Sequence, residues 1–159
     1  MSTLGRKEIT AALTNAAVMH WVKLRYGVFT EIGLVRRGLL RADVLAINYR
    51  RHIVISETKS CLADYRADTK LLSYLGLCDQ MYVLVPQALW DSGKMHEPAE
   101  GIGVQVLDSS TGFLRVVKKA RVQDRMTEEE RYDLITRMAF RSATFSKRNI
   151  ARRKKVFLS

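Results

Sequence analysis

The sequence predicts an α/β fold in the order α-β-β-β-α-β, followed by a β-hairpin and a C-terminal helix. Three observations predict it. Runs with apolar residues three and four apart alternate with short β-rich runs. The two clearest strands follow one another, separated only by a few polar residues. No internal repeat and no linker divides the chain.

Residues 6–25 form the first predicted helix, with Ile9, Ala12, Leu13, Ala16, Ala17, His20 and Leu24 on one face. Tyr26 to Leu34 reads as a strand ending near Gly33. Leu39–Tyr49 and His52–Lys59 are the next two strands, joined around Asn48-Tyr49-Arg50-Arg51. Residues 62–75 return to helical spacing through Leu62, Tyr65, Leu72 and Leu75, and Gly76 supplies a stop. Gln80–Val85 is a buried-type strand closed by Pro86, and 87–101 reads as loop with a helical turn near Leu89. Val104–Leu107 and Phe113–Val117 flank the turn Asp108-Ser-Ser-Thr-Gly112. Thr127-Glu-Glu-Glu130 is a capping box opening the last helix, with Leu134, Ile135, Met138 and Phe145 inward.

Of the 159 residues, 27 are Lys or Arg and 16 are Asp or Glu, a net charge of +11. The excess is uneven. Residues 1–112 carry 13 basic and 11 acidic side chains, whereas 113–159 carry 14 and 5. We divide the chain into a domain over 1–146 and a basic tail over 147–159. The tail residues Lys147, Arg148, Arg152, Arg153, Lys154 and Lys155 have no acidic neighbour and suit phosphate contacts. A solubilising end is the plainer alternative. No apolar run approaches membrane-spanning length. The N-terminus has no secretory pattern, and two cysteines with three histidines make neither a disulfide scaffold nor a zinc pattern. A cytoplasmic protein that meets a polyanion is expected, without a membrane partner. A homodimer stays open.

The chemistry sits in the nearly neutral part. Along the third strand Ile53, Ile55, Glu57 and Lys59 share one face, so two charged groups close an apolar stripe. Asp43 lies on the preceding strand. A two-residue loop at Arg50-Arg51 pairs position 43 with 58 and puts Asp43 and Glu57 on opposite faces. A three-residue loop over Tyr49–Arg51 pairs 43 with 57 and sets the acids side by side. Facing carboxylates repel unless a cation separates them, and Mg²⁺ or Mn²⁺ suits such an oxygen pair. Asp43, Glu57 and Lys59 then read as a metal-dependent phosphodiester-hydrolysis site. Asp43 and Glu57 are its metal ligands, and Lys59 orients water or stabilises charge on the phosphate. Glu31 is a further ligand or general base, and Glu8 a weaker candidate. A strand-end ion pair of Glu57 with Lys59 is the structural alternative.

Asp64 and Asp68, with Lys70, fit either the surroundings of the substrate phosphates and metal or a helix start with an Arg ion pair. Arg36, Arg37, Arg41, Arg50 and Arg51 flank DNA or are solvated. Tyr65 and Tyr74 read as core. His20 and Trp21 read as packing, His52 and His96 have no partner at ligand spacing, and Cys61 and Cys78 read as buried thiols.

Residues 24–85 resemble the PD-(D/E)XK nuclease superfamily and, within it, the MmcB-like DNA-repair proteins. The words that carry this are Thr30-Glu31, Arg41-Ala-Asp-Val-Leu45 and Ile55-Ser-Glu-Thr-Lys-Ser60. They continue in Asp64-Tyr-Arg-Ala-Asp68, Lys70, Tyr74, Cys78-Asp79 and Met81-Tyr-Val83. The resemblance implies a restriction-endonuclease-like core, a divalent metal and a DNA substrate. It places Asp43, Glu57 and Lys59 on catalytic positions and Glu31 on a family acid. Ala42 stands where the superfamily name has Pro. A non-catalytic nucleic-acid-binding or assembly protein, and a nuclease resolving branched DNA, are the alternatives on the same fold.

Overall fold

A computed structural model describes residues 4–35 and 40–157, with 144–157 described by backbone alone. Arg36, Arg37 and Leu39, and the side chains of Phe145 and the six tail residues Lys147 to Lys155, therefore lie outside the described residues. The chain divides into a unit over Met1–Met126 and a second over Thr127–Ser159.

The first unit holds α1 (Arg6–Lys23), β1 (Gly27–Gly33), β2 (Arg41–Ile47), β3 (Ile53–Thr58), α2 (Leu62–Ala67) and α3 (Leu71–Tyr74). It continues through β4 (Gln80–Pro86), α4 (Gln87–Asp91), β5 (Gly103–Leu107) and β6 (Leu114–Lys118). The strands form one open sheet in sequence order. The β1–β2, β2–β3 and β5–β6 pairs are antiparallel, whereas β3–β4 and β4–β5 are parallel. This is a mixed six-stranded sheet with flanking helices, an α/β fold consistent with a restriction-endonuclease-like core.

Side-chain alternation divides the sheet into two buried faces. Val44, Ala46, Val54, Tyr82 and Leu84 cluster with Leu13, Ala16, Ala17 and Trp21 of α1. Leu45, Ile53, Ile55, Met81, Val83, Val104 and Val106 alternate with them and are also buried. Burial on both faces is why the central strands read as nearly continuous apolar runs. Leu13 is fully buried at the centre of the α1 contact. Leu13→Ala is expected to cost about 2–5 kcal/mol, read as a lower urea midpoint with an unchanged slope.

The β2–β3 loop resolves the register. Asn48 Oδ1 accepts the N–H groups of Arg50 (2.9 Å) and His52 (3.1 Å), and Arg51 takes a left-handed φ of 64°. The loop is thus the three-residue kind, a turn ended by one left-handed residue. Val44 pairs with Ser56 and Ile47 with Ile53, so Asp43 falls opposite Glu57.

Two expectations need correction. The helix expected over 62–75 is broken after Ala67, where Asp68 turns extended (φ −78°, ψ 114°). The Asp68 carboxylate pairs with Lys59, and its Oδ1 accepts the Lys70 N–H at 2.6 Å. This side-chain hydrogen bond competes with helical continuation. The break changes the buried face: Tyr65 and Leu75 are buried while Leu72 is exposed. In α1, Leu24 is the exposed C-terminal cap residue rather than an inward one. Trp21 occupies the inward position instead, packed on Tyr26 and Tyr82.

The second unit is α5 (Glu128–Phe157). Its capping box forms: Thr127 N–H donates to Glu130 Oε2 at 2.8 Å, and Glu130 N–H to Thr127 Oγ1 at 3.2 Å. The backbone of 147–155 continues this helix. Among the described residues, no helix is long and apolar enough to cross a membrane.

Candidate active site

Strands β2 and β3 bring the two predicted acids together, and each carboxylate holds the other strand's backbone. Asp43 N–H donates to Glu57 Oε1 at 2.8 Å. In return, the Thr58 N–H (2.9 Å) and hydroxyl (2.8 Å) both donate to Asp43 Oδ2. This exchange replaces ladder hydrogen bonds at the strand end and locks both side chains in place.

Glu57 is 5% exposed, which makes the arrangement costly. Burial first, and then the Asp43 charge, push its carboxyl up to about 8; the Asp43 N–H and Lys59 only partly offset this. An acid pair raised this way favours either a proton or a cation between the carboxylates. Asp43 Oδ1 accepts no hydrogen bond from a described residue, so it can serve a ligand.

Lys59 continues from β3, its N–H bonded to Leu84 O at 2.9 Å. Its ammonium is buried and paired with Asp68, whose side chain is equally buried. Both groups act on Glu57 electrostatically, so they belong to the same site. The simple Glu57–Lys59 ion pair is not what forms. Asp64 instead faces the start of α1, with Oδ1 2.9 Å from Arg6 Nη2. Burial raises the Asp64 carboxyl, but Ser60 N–H, Lys59 and Arg6 together hold it below the usual range. The ion-pair reading of Asp64 is the one observed.

Glu31 sits on β1 between Thr30, paired with Val44, and Ile32, paired with Ala42. This puts it at the level of Asp43. Its φ of 52° is a left-handed conformation inside a strand, which costs a non-glycine residue about 1–3 kcal/mol. Its side chain is largely exposed and lies 3.6 Å from Arg41 Nη1. The structure therefore places Glu31 beside Arg41, at the level of Asp43 along the strands. Lys70 is exposed, and Glu8 accepts the Gly5 N–H as part of the α1 start.

Tyr74, read from the sequence as a core residue and one of the positions that carry the family resemblance, reaches the site. It is buried, and its hydroxyl donates to Arg41 O at 3.0 Å. Burial, then the charges of Glu57, Asp43 and Asp68, raise its phenol. It stays protonated and fixes α3 against the first residue of β2. Spacing reports which face a residue takes but not what a hydroxyl meets at the end of a side chain.

Among the other residues, Tyr65 is buried with its hydroxyl on His96 O, and Cys78 is buried with its thiol pushed up to about 12 by burial. Cys61 is only partly buried, which corrects its reading as a core thiol. His52 Nε2 lies 2.9 Å from Gln80 Oε1.

The donor set can be tested against a divalent cation. Among the described residues, no group of three or more His, Cys, Asp or Glu side chains is arranged to hold a metal. Two carboxylates are nevertheless sufficient for Mg²⁺, which keeps several waters and takes substrate oxygens for the remainder. The residues fit that sparser mode.

Residues 2–153 match the family model described as DNA repair protein MmcB-like. A solved structure, an SPO1766 protein of unknown function from Silicibacter pomeroyi, is similar in fold. Its TM-score is 0.68 at 22% identity, with 92% of each chain covered. No curated protein gives a significant match.

Proposed function

Because this chain belongs to the MmcB-like family of DNA repair proteins, we propose that it is a DNA-binding, metal-dependent phosphodiester hydrolase of the PD-(D/E)XK type. The observation that carries this reading is the facing Asp43–Glu57 pair, with Glu57 buried and raised to about 8. Its electrostatic cost has a simple remedy in Mg²⁺ or Mn²⁺. Such an ion supplies Lewis-acid polarisation of a phosphodiester and a more acidic bound water.

The residues divide the work. Asp43 and Glu57 hold the ion, oriented by Thr58 and by the Asp43 N–H. Lys59 is the cation beside them and stabilises negative charge developing on the phosphate. Arg41, exposed at the rim, and Lys70 contact DNA phosphates. The tail residues Lys147, Arg148, Arg152, Arg153, Lys154 and Lys155 add sequence-independent attraction, which steepens the salt dependence of binding.

The test is incubation with linear, nicked, single-stranded and branched DNA in Mg²⁺, Mn²⁺ or EDTA. Cleavage in metal that stops in EDTA is expected, and the preferred substrate reports whether branched DNA is the target. Cleavage that persists in EDTA contradicts the site. The pairing of Lys59 with Asp68 favours a second reading, a DNA-binding protein without cleavage. Tight, salt-sensitive binding with no product in any metal would establish it.

A further inference from the structure

Lys59 is close enough to act on Glu57, yet its ammonium is taken up by Asp68. Both side chains of that pair are about nine-tenths buried, so neither charge is dispersed by water. Asp68 is also held in place: it sits in the break between α2 and α3, with Oδ1 fixed by the Lys70 N–H. Asp64, the other nearby acid, is matched by Arg6. With Arg6 and Lys59 matched to Asp64 and Asp68, neither cation is paired with the facing Asp43 and Glu57 carboxyls.

We propose that Asp68 is the positioning residue that withholds Lys59 from the acid pair and so reserves both carboxyls for a divalent cation. This rests on the metal-dependent reading above and extends it to a residue that does not touch the ion. In the absence of the Asp68 charge, the carboxylates left near the buried Lys59 ammonium are Asp64, already matched by Arg6, and the Asp43–Glu57 pair. The ammonium's approach to that pair would compete with the cation. Asp68 makes its pair with Lys59 from the break between α2 and α3.

The experiment is titration of the full chain with MnCl₂ by calorimetry, on wild type, Asp68→Asn and Asp68→Asn/Lys59→Met. Asp68→Asn is expected to bind Mn²⁺ about 10–100-fold more weakly, the range for residues supporting a metal site. The double variant removes both charges of the pair and buries no unmatched ion. It is therefore expected to fold even if the single variant does not, and to bind within about threefold of wild type. Wild type that binds no Mn²⁺ overturns the metal-dependent reading, and this inference with it. Wild type that binds, with Asp68→Asn binding equally well, overturns this inference alone. So does a double variant that binds weakly, because Asp68 would then act by a route other than Lys59.

Discussion

Glu57→Gln is expected to lower metal-dependent DNA cleavage by roughly 10²–10³-fold or more while making the metal-free protein more stable at alkaline pH. The two effects have one cause. Gln keeps the shape and an oxygen that can accept the Asp43 N–H, which Glu57 Oε1 accepts at 2.8 Å. It removes the buried charge that burial and Asp43 penalise. A residue kept only for stability would show the opposite: loss of stability without a specific loss of cleavage. Single-turnover cleavage rates and urea melts at pH 9 in EDTA check both halves. Variant protein that cleaves at the wild-type rate contradicts the assignment.

Metal-free wild type is expected to lose stability as pH rises, against the usual behaviour of a paired carboxylate. The Glu57 carboxyl is raised from 4.5 to about 8 in the folded protein. Folding therefore takes up a proton between these values, and the folded state is favoured where that proton is present. The contribution is complete below about 4.5 and lost as pH passes through about 8, on the order of a few kcal/mol. Mn²⁺ binds the charged form, so at pH 8.5 it should restore stability. A concentration one hundred times its dissociation constant gives about 2.7 kcal/mol. At pH 5 the same addition should do little. Melting curves across pH in EDTA and in MnCl₂ check the sign. Stability that falls through this range in Glu57→Gln as much as in wild type would show that another group governs it.

Much of this site was legible before the structure, for physical reasons. Alternation along Ile53–Lys59 marked Glu57 as a charge on a buried stripe, because a strand's period of two leaves little freedom. Whether Asp43 joined it depended on loop length, and sequence alone left two registers open. The Asn48 hydrogen bonds and the left-handed Arg51 decide for the three-residue loop. Asp68 was harder. Its place in a helical pattern concealed the break, since helical periodicity does not register a carboxylate that leaves the helix to meet a lysine nine residues earlier. Tyr74 was read as core, and its burial bears that out, but the reach of its hydroxyl to Arg41 O is visible only in the structure. For Glu31, position along the chain matched the acids, and the pairing of its side chain with Arg41 is visible only in the structure.

The net charge of +11 also separates into parts with different roles. Its excess lies after residue 112, whereas the acid pair sits in a nearly balanced segment. In the proposed reading most of the attraction for a polyanion therefore lies after residue 112, while Arg41 and Lys70 supply a smaller share beside the acid pair.

In the function proposed above, Asp43 and Glu57 together hold a divalent cation. Its most direct test is an anomalous-difference map from a crystal of the protein soaked in MnCl₂ at pH 8. One manganese peak between the two carboxylates is expected, with water filling the remaining positions. A map with no peak there, or with manganese bound only elsewhere, would contradict it.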